Sequence, residues 1–316
     1  MSQKQKLIEK SKGGAQPNIS QEIIKEYPFT LPPLAEQHRI IHRIENTFER
    51  LNAAKELAQS VLDSFEDRKT ALLVDAFSGK ITELWRREHG LNINSWKEHI
   101  TNDLLNYVTS GSRGWAKYYA DDGAIFFRMG NLDHGTIDLD LKDVRYVCIP
   151  SKAEGQRSRV QKGDILISIT ADVGMVGLVK EAYDEAYINQ HVALARPKHS
   201  LIDAAFFTWF LVSYLGLNQL KRKQRGATKV GLGLDDIRNL YIRVPLIEEQ
   251  QEIVRILDSF FEKEQHAKEL CEKVLDKIEH TKKSILARAF RGDLGTNDPN
   301  EENALELLKQ VLGEQD

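Results

Sequence analysis

Cysteine, proline and long apolar runs are all scarce in this 316-residue sequence, which has two cysteines and eight prolines. Cys148 and Cys271 offer neither a disulfide framework nor a zinc pattern. The longest largely apolar stretch, residues 204–217, has 14 residues; that falls short of the roughly 20 a membrane-spanning helix needs and reads as a buried helix. No basic, apolar and small-residue succession opens the sequence, so a reducing cytoplasm is expected rather than secretion. Hydrophobic residues make up 41% and charged residues 29%, which excludes collagen-like and compositionally disordered chains.

Catalytic signatures are missing too. There is no G-x-x-x-x-G-K-[ST] phosphate loop, no G-x-S-x-G elbow and no His or Cys set at zinc spacing. Nor is there an Asn-Pro-Pro-Tyr or Asp-Pro-Pro-Tyr stretch, with which an adenine-amino methyltransferase holds its flipped base. Gly174-Met175-Val176-Gly177 lacks the third glycine of a nucleotide-binding loop and reads as a strand turn. Intrinsic catalysis, a cofactor and a metal are therefore not expected in this chain.

What is present is a repeat. When the sequence is slid against itself by 213 positions, Pro32, Glu36, Gln37 and Ile40 fall on Pro245, Glu249, Gln250 and Ile253 without a gap. Ala54-Lys55-Glu56-Leu57 recurs as Ala267-Lys268-Glu269-Leu270, and Val61-Leu62-Asp63 as Val274-Leu275-Asp276. The match closes with Ala76-Phe77-x-Gly79 against Ala289-Phe290-x-Gly292. Proline ahead of each copy and glycine behind it predict two long helices, each about 60 Å at 1.5 Å per residue.

Spacings of four and three along both copies predict a coiled-coil seam. Its apolar members are Ile44, Phe48, Leu51, Leu62 and Phe65 in the first helix, and Leu257, Phe261, Leu275, Ile278 and Ile285 in the second. Lys55 and Lys69 interrupt the first seam where Lys268 and Lys282 interrupt the second, which suits a device that fixes register and partner. Two copies pairing with each other is the economical reading. The alternative is that each helix packs on its own neighbour and the repeat records a duplication alone. The match extends upstream, with Gly13, Ile24 and Phe29 opposite Gly226, Ile237 and Ile242, so the first 30 residues correspond to the tail of the middle segment.

That middle segment has another texture. Short β-type runs at 124–128, 144–149, 164–170, 176–179 and 191–195 read as strands, with helices at 201–223 and 235–239. The expected class is α+β, one mixed α/β domain flanked by two long helices that pair as a coiled coil. Its divisions are 1–31, a domain remnant; 32–82, the first helix; 83–244, the globular domain; 245–295, the second helix; and 296–316, a tail with a short helix. Residues 83–243 hold 22 basic and 19 acidic side chains, whereas the remainder holds 22 and 28. Lys221, Arg222, Lys223, Arg225 and Lys229, with no acid before Asp235, form the densest cationic cluster and suit phosphate contacts. Loops rich in hydrogen-bonding groups offer Arg113, Lys117, Arg128, Asn131, Thr170, Asn189 and Gln190 as readers of base edges. Trp115 in the first of these loops reads as a core anchor before a base wedge.

These residues resemble the specificity subunits of type I restriction-modification systems over almost the whole chain. The likeness rests on Pro33-Leu34-Ala35-Glu36-Gln37 and Pro245-Leu246-Ile247-Glu248-Glu249-Gln250, on Ala76-Phe77-Ser78-Gly79 and Ala289-Phe290-Arg291-Gly292, and on Gly163-Asp164-Ile165-Leu166-Ile167 and Ile188-Asn189-Gln190-His191. The resemblance implies two target recognition domains alternating with two long helices that form an antiparallel coiled coil and dock two modification subunits. Here the first recognition domain is reduced to about 30 residues, which suggests a half-size subunit. Two copies would then read an inverted repeat of double-stranded DNA as a homodimer, with the helices setting the spacer. The resemblance further implies that S-adenosylmethionine belongs to the modification subunits, and that ATP-driven translocation and magnesium-dependent cleavage belong to a restriction subunit joined through the complex. The competing reading is a regulator that occupies modification subunits through its helices without reading DNA.

Overall fold

The computed structural model describes residues 21–25, 31–149, 155–225, 231–301 and 304–313. Apart from α1 (Gln21–Lys25) and residue 31, the stretch expected to be a domain remnant lies outside them. The chain divides into two units, residues 1–64 with 265–316, and residues 65–264.

The first unit is built on α2 (Leu34–Asp63) and the later part of α9 (Ile247–Ala289). Partner numbers fall along α9 as they rise along α2. Lys282 Nζ lies 5.5 Å from the Phe48 ring centroid and 2.5 Å from Asn52 Oδ1, while Lys55 Nζ lies 3.0 Å from Glu279 Oε1. The two helices are therefore antiparallel. The interrupting lysines supply these cross-helix contacts, and Lys55 holds the Glu279 carboxyl below the usual carboxylate range. Ile44, Phe48, Leu51, Leu62, Leu275 and Ile285 are half-buried and Ile278 is buried, as a seam requires. The short helix α10 (Ala304–Gly313) follows.

In the second unit the seam is absorbed into a domain core. Leu257 joins Leu73, Ala76 and Phe77 of α3 (Phe65–Phe77) in that core. The Phe261 ring stacks on Trp209 at 4.3 Å, and Phe65 is half-buried. Arg68 and Glu264 form a bidentate pair at 2.8 and 2.6 Å.

The first helix is not continuous, which corrects the expectation of one helix over 32–82. Ser64 breaks it at φ −82°, ψ −2°, with its hydroxyl donating to the Ser60 and Val61 carbonyls at 2.8 and 3.1 Å. Such back-bonding bends helices. The repeat places Lys277 opposite Ser64, and α9 runs its 43 residues unbroken.

Between the helices come α4 (Glu83–Glu88), β1 (Lys97–Ile100), α5 (Thr101–Leu104), β2 (Leu105–Ser110), β3 (Tyr119–Ala120), β4 (Ala124–Phe127), β5 (Arg145–Val147), β6 (Ile165–Ser168), β7 (Val176–Leu178), β8 (Ala186–Ile188), β9 (Val192–Pro197), α6 (Ala204–Val212), α7 (Tyr214–Lys223), α8 (Leu234–Arg238) and β10 (Tyr241–Val244). One sheet has the order β2-β9-β6-β7, the second β3-β5-β4-β8, and β1 pairs with β10. β6 and β9 are covered on both faces. Ile165, Ile167, Ala193 and Ala195 pack with Phe206 and Phe210 of α6, whereas Leu166, Val192 and Leu194 pack with Phe127 and Ile188 of the second sheet. The single helix expected over 201–223 is split at Ser213, which adopts an extended conformation (ψ 156°) and accepts a bond from Gly216 N. A Cβ at Gly216 would fall 2.2 Å from the Phe210 carbonyl oxygen, so only glycine permits this turn.

The repeated Glu-Gln pairs close both helix starts. Gln37 Nε2 donates to the Pro32 carbonyl at 2.8 Å, and Gln250 Nε2 to the Pro245 carbonyl at 2.9 Å. The preceding glutamates turn inward. Glu249 is fully buried, and its Oε1 accepts from Thr82 Oγ1 at 2.6 Å, from Trp96 Nε1 at 3.1 Å and from Arg86 Nη1. Arg86 also donates to the carbonyl of Gly79, the left-handed stop (φ 82°) behind α3. At the other start Glu36 accepts from Thr296 Oγ1 at 3.3 Å.

Removing one partner of a buried ion pair costs about 3–5 kcal/mol, so Glu249→Ala is expected to lower the unfolding free energy obtained from urea titration by that amount. Glu36→Ala loses one long hydroxyl bond and is expected to cost about 1 kcal/mol. Equal losses for the two would show that the buried arginine adds nothing.

Candidate functional site

The polar loops of residues 65–264 meet at a cleft of about 690 Å³. Arg113, Lys117 and Tyr118 come from the segment after β2, Arg157 from a short turn, Thr170 from the end of β6 and Gln190 from the β8–β9 turn. Among the described residues, three cations and no carboxylate line it, so its field favours a polyanion.

Backbone contacts set each wall. Gly111 lies so close to β8 that a Cβ there would fall 2.0 Å from the Ile188 carbonyl oxygen, and Gly111 N donates to the Val192 carbonyl at 3.3 Å. Ser112 bridges to Asn189. Arg113 therefore leaves from a strap clamped against β8 and β9. Trp115 anchors the other end of the strap. It is 4% exposed and packs on Phe126 at 5.6 Å and Tyr187 at 5.2 Å, which makes it core and leaves Lys117 and Tyr118 on the rim. Burial and the bond to Glu185 push the Tyr187 hydroxyl up to about 12, so it remains neutral. On the opposite rim, Tyr107 Oη donates to the Arg157 carbonyl at 2.8 Å.

Thr170 is followed by Ala171 at φ 60°, the one non-glycine residue with positive φ among the described residues. That conformation costs a side chain with a Cβ roughly 1–2 kcal/mol. It turns the chain sharply after Thr170, whose Oγ1 lies 2.7 Å from His191 Nδ1. Asn189 shapes its own turn, with Oδ1 accepting from His191 N at 3.0 Å.

Four of the expected base readers, Arg113, Lys117, Thr170 and Gln190, are thus brought together. Asn131 is not one of them. It is 1% exposed, its Oδ1 accepts from Arg128 N at 2.8 Å, and its Nδ2 donates to the Asp140 and Asp143 carbonyls at 2.8 and 3.2 Å. Arg128 is held by Asp143 Oδ2 at 3.0 Å. Asn131 is corrected to a structural role, because its amide is spent inside the loop; Arg128 commits only its Nη2 to Asp143.

Lys221, Arg222 and Lys223 occupy the last turn of α7, where cations also complement the helix dipole. Arg225 gives one Nη2–H to the buried Asp236 at 2.9 Å, while its side chain stays 81% exposed. Its backbone bridges to Gly231, which bridges in turn to Thr170. Lys229 lies outside the described residues. Arg157 and Tyr118 were not anticipated from the sequence. The signal for Arg157 is Gln156-Arg157-Ser158-Arg159 with Lys162, a cationic run without an acid between Glu154 and Asp164. Among the described residues no cluster of three or more His, Cys, Asp or Glu is arranged to hold a metal. Nor is any helix among them long and apolar enough to cross a membrane.

The family described as Type I restriction modification DNA specificity domain matches residues 1–60 and 147–276. The type I restriction enzyme EcoBI specificity subunit of Escherichia coli is 26% identical over 94% of this chain and 66% of its own length. The EcoKI specificity subunit of Escherichia coli K12 is likewise 26% identical, over 90% and 63%. The chain spans just under two thirds of the length of these relatives. In fold it matches the crystal structure of the HsdS subunit from Thermoanaerobacter tengcongensis, with a TM-score of 0.61 at 23% identity over 92% of this chain and 67% of the other.

Two substitutions separate scaffold from strain. Asn131→Ala strands buried backbone groups and is expected to cost about 2–3 kcal/mol. Ala171→Gly relieves the left-handed conformation and is expected to raise stability by about 1 kcal/mol. Urea titrations of both variants check the opposite signs.

Proposed function

Because the chain belongs to the type I restriction-modification DNA specificity family, we propose that it reads one half of a bipartite DNA target and scaffolds the subunits that act there. The observation that carries this reading is the cleft in which Arg113, Lys117 and Arg157 meet Thr170 and Gln190. Cations draw in the phosphate backbone, and the neutral hydrogen-bonding groups among them suit base edges. In this reading the chain is not itself an enzyme and works in the cytoplasm. Modification subunits dock on the paired helices and bring S-adenosylmethionine for adenine methylation; a restriction subunit joined through the complex brings ATP and magnesium.

The bipartite target needs a second reading domain, and a second copy of the chain is proposed to supply it. The target is then an inverted repeat, with a spacer set by the paired helices. Since α2 and α9 pair within one chain, a second chain need not exchange helices to join.

Selection from random duplexes, alone and with modification subunits, is expected to enrich one sequence. Enrichment of none in either case would favour the regulator that occupies modification subunits without reading DNA. Each phosphate contact adds about one unit to the salt slope of binding. Arg113→Ala with Lys117→Ala is therefore expected to weaken binding by about tenfold or more and to flatten the slope by about one to two. Arg128→Ala should leave the slope unchanged, because Asp143 holds that guanidinium. Light scattering of the complex with modification subunits on DNA is expected to find two copies of the chain; a single copy would remove the homodimer.

A further inference from the structure

We propose that His191 is a positioning residue that fixes the edge Gln190 shows to a base and thereby selects adenine; the inference rests on the DNA-reading role of the cleft. The backbone of His191 is held from both sides. Its N donates to Asn189 Oδ1 at 3.0 Å, and its carbonyl accepts from Ile169 N at 3.0 Å. The ring is then gripped at both nitrogens, with Nδ1 2.7 Å from Thr170 Oγ1 and Nε2 3.1 Å from Gln190 Nε2.

The proton positions follow from what each group can do. An amide nitrogen can only donate, so His191 Nε2 accepts, and the proton of the neutral ring sits on Nδ1. Nδ1 donates to Thr170 Oγ1. That releases the Thr170 hydroxyl hydrogen, and Thr170 lines the cleft.

Gln190 also lines the cleft, whereas the His191 ring does not. With one N–H committed to the ring, the Gln190 amide keeps one donor and its carbonyl oxygen. Adenine presents the matching pair, an acceptor at N7 and a donor at its 6-amino group. Guanine presents two acceptors there, one of which would face the Gln190 carbonyl without a proton between them. A glutamine whose amide is free to turn can offer either end, so the histidine ties the amide to one arrangement.

The test is random-duplex selection by the full chain bound to its modification subunits, read position by position. The parent is expected to show an adenine preference of about tenfold or more at one position, lost in Gln190→Ala. His191→Leu keeps bulk but has no ring nitrogen; it is expected to flatten that position alone, with total affinity within about threefold. In His191→Gln the Oε1 can accept in place of Nε2, so the preference should largely return.

An unchanged adenine preference in His191→Leu overturns the inference and leaves DNA reading intact, as does a Gln190→Ala variant that alters no position. If His191→Leu does not fold, His191→Phe, which also lacks a ring nitrogen, takes its place: a flattened position supports the assignment, and unchanged adenine refutes it. A parent that enriches no sequence removes the DNA-reading role itself and this inference with it.

Discussion

A fully buried carboxylate, Glu249, holds the globular domain to its helices. Taking that charge out of water is unfavourable by several kcal/mol unless it is paired and hydrogen-bonded. Its Oε1, in the first turn of α9, is met by groups from three places: Thr82 beyond the end of α3, Arg86 on α4 and Trp96 at the head of β1. None of these groups can leave without stranding the others. The contact therefore fixes where the first helix ends, where the domain begins and where the second helix starts. The domain core grows outward from this point through Phe77, Trp96 and Phe206, whose rings meet at 5.3 and 6.5 Å.

The same chemistry explains what the sequence shows so openly. The glutamine of each Glu-Gln pair folds back on the proline carbonyl that precedes its helix, and the glutamate before it meets a threonine beyond the end of the opposite helix. Residues that repeat because they perform the same local task are visible in one sequence. So are the helices they open, the pairing suggested by their matched seams, and the strands at Ala124–Phe127, Ile165–Ser168 and Val176–Leu178, whose apolar runs stand between turn residues.

Other features were hidden for identifiable reasons. Ser64 carries no breaker signal; it interrupts the helix through a hydroxyl that competes for backbone carbonyls. Polar residues of one composition part company by burial. Asn131 satisfies the loop around it, whereas Gln190 faces the cleft, and nothing in their flanking residues tells them apart. Arg128 and Arg225 are cations in basic or neutral surroundings along the chain, and only folding sets Asp143 and Asp236 beside them. β1, β2, β3, β8 and β10 were missed: polar residues interleave the apolar ones in β1, β2 and β10, and β3 and β8 are only two and three residues long.

The walls of the cleft are tied by main-chain bonds: Gly111 to Val192, Ile169 to His191, and Leu232 to Ile169. Side chains on such walls contribute little to holding the walls in place. Arg113, Lys117, Arg157 and Gln190 can be exchanged for other types while the frame behind them keeps its shape. Mutation can thus rewrite the message accepted by the cleft at small cost to folding, and lineages that share this skeleton are free to diverge in what they recognise.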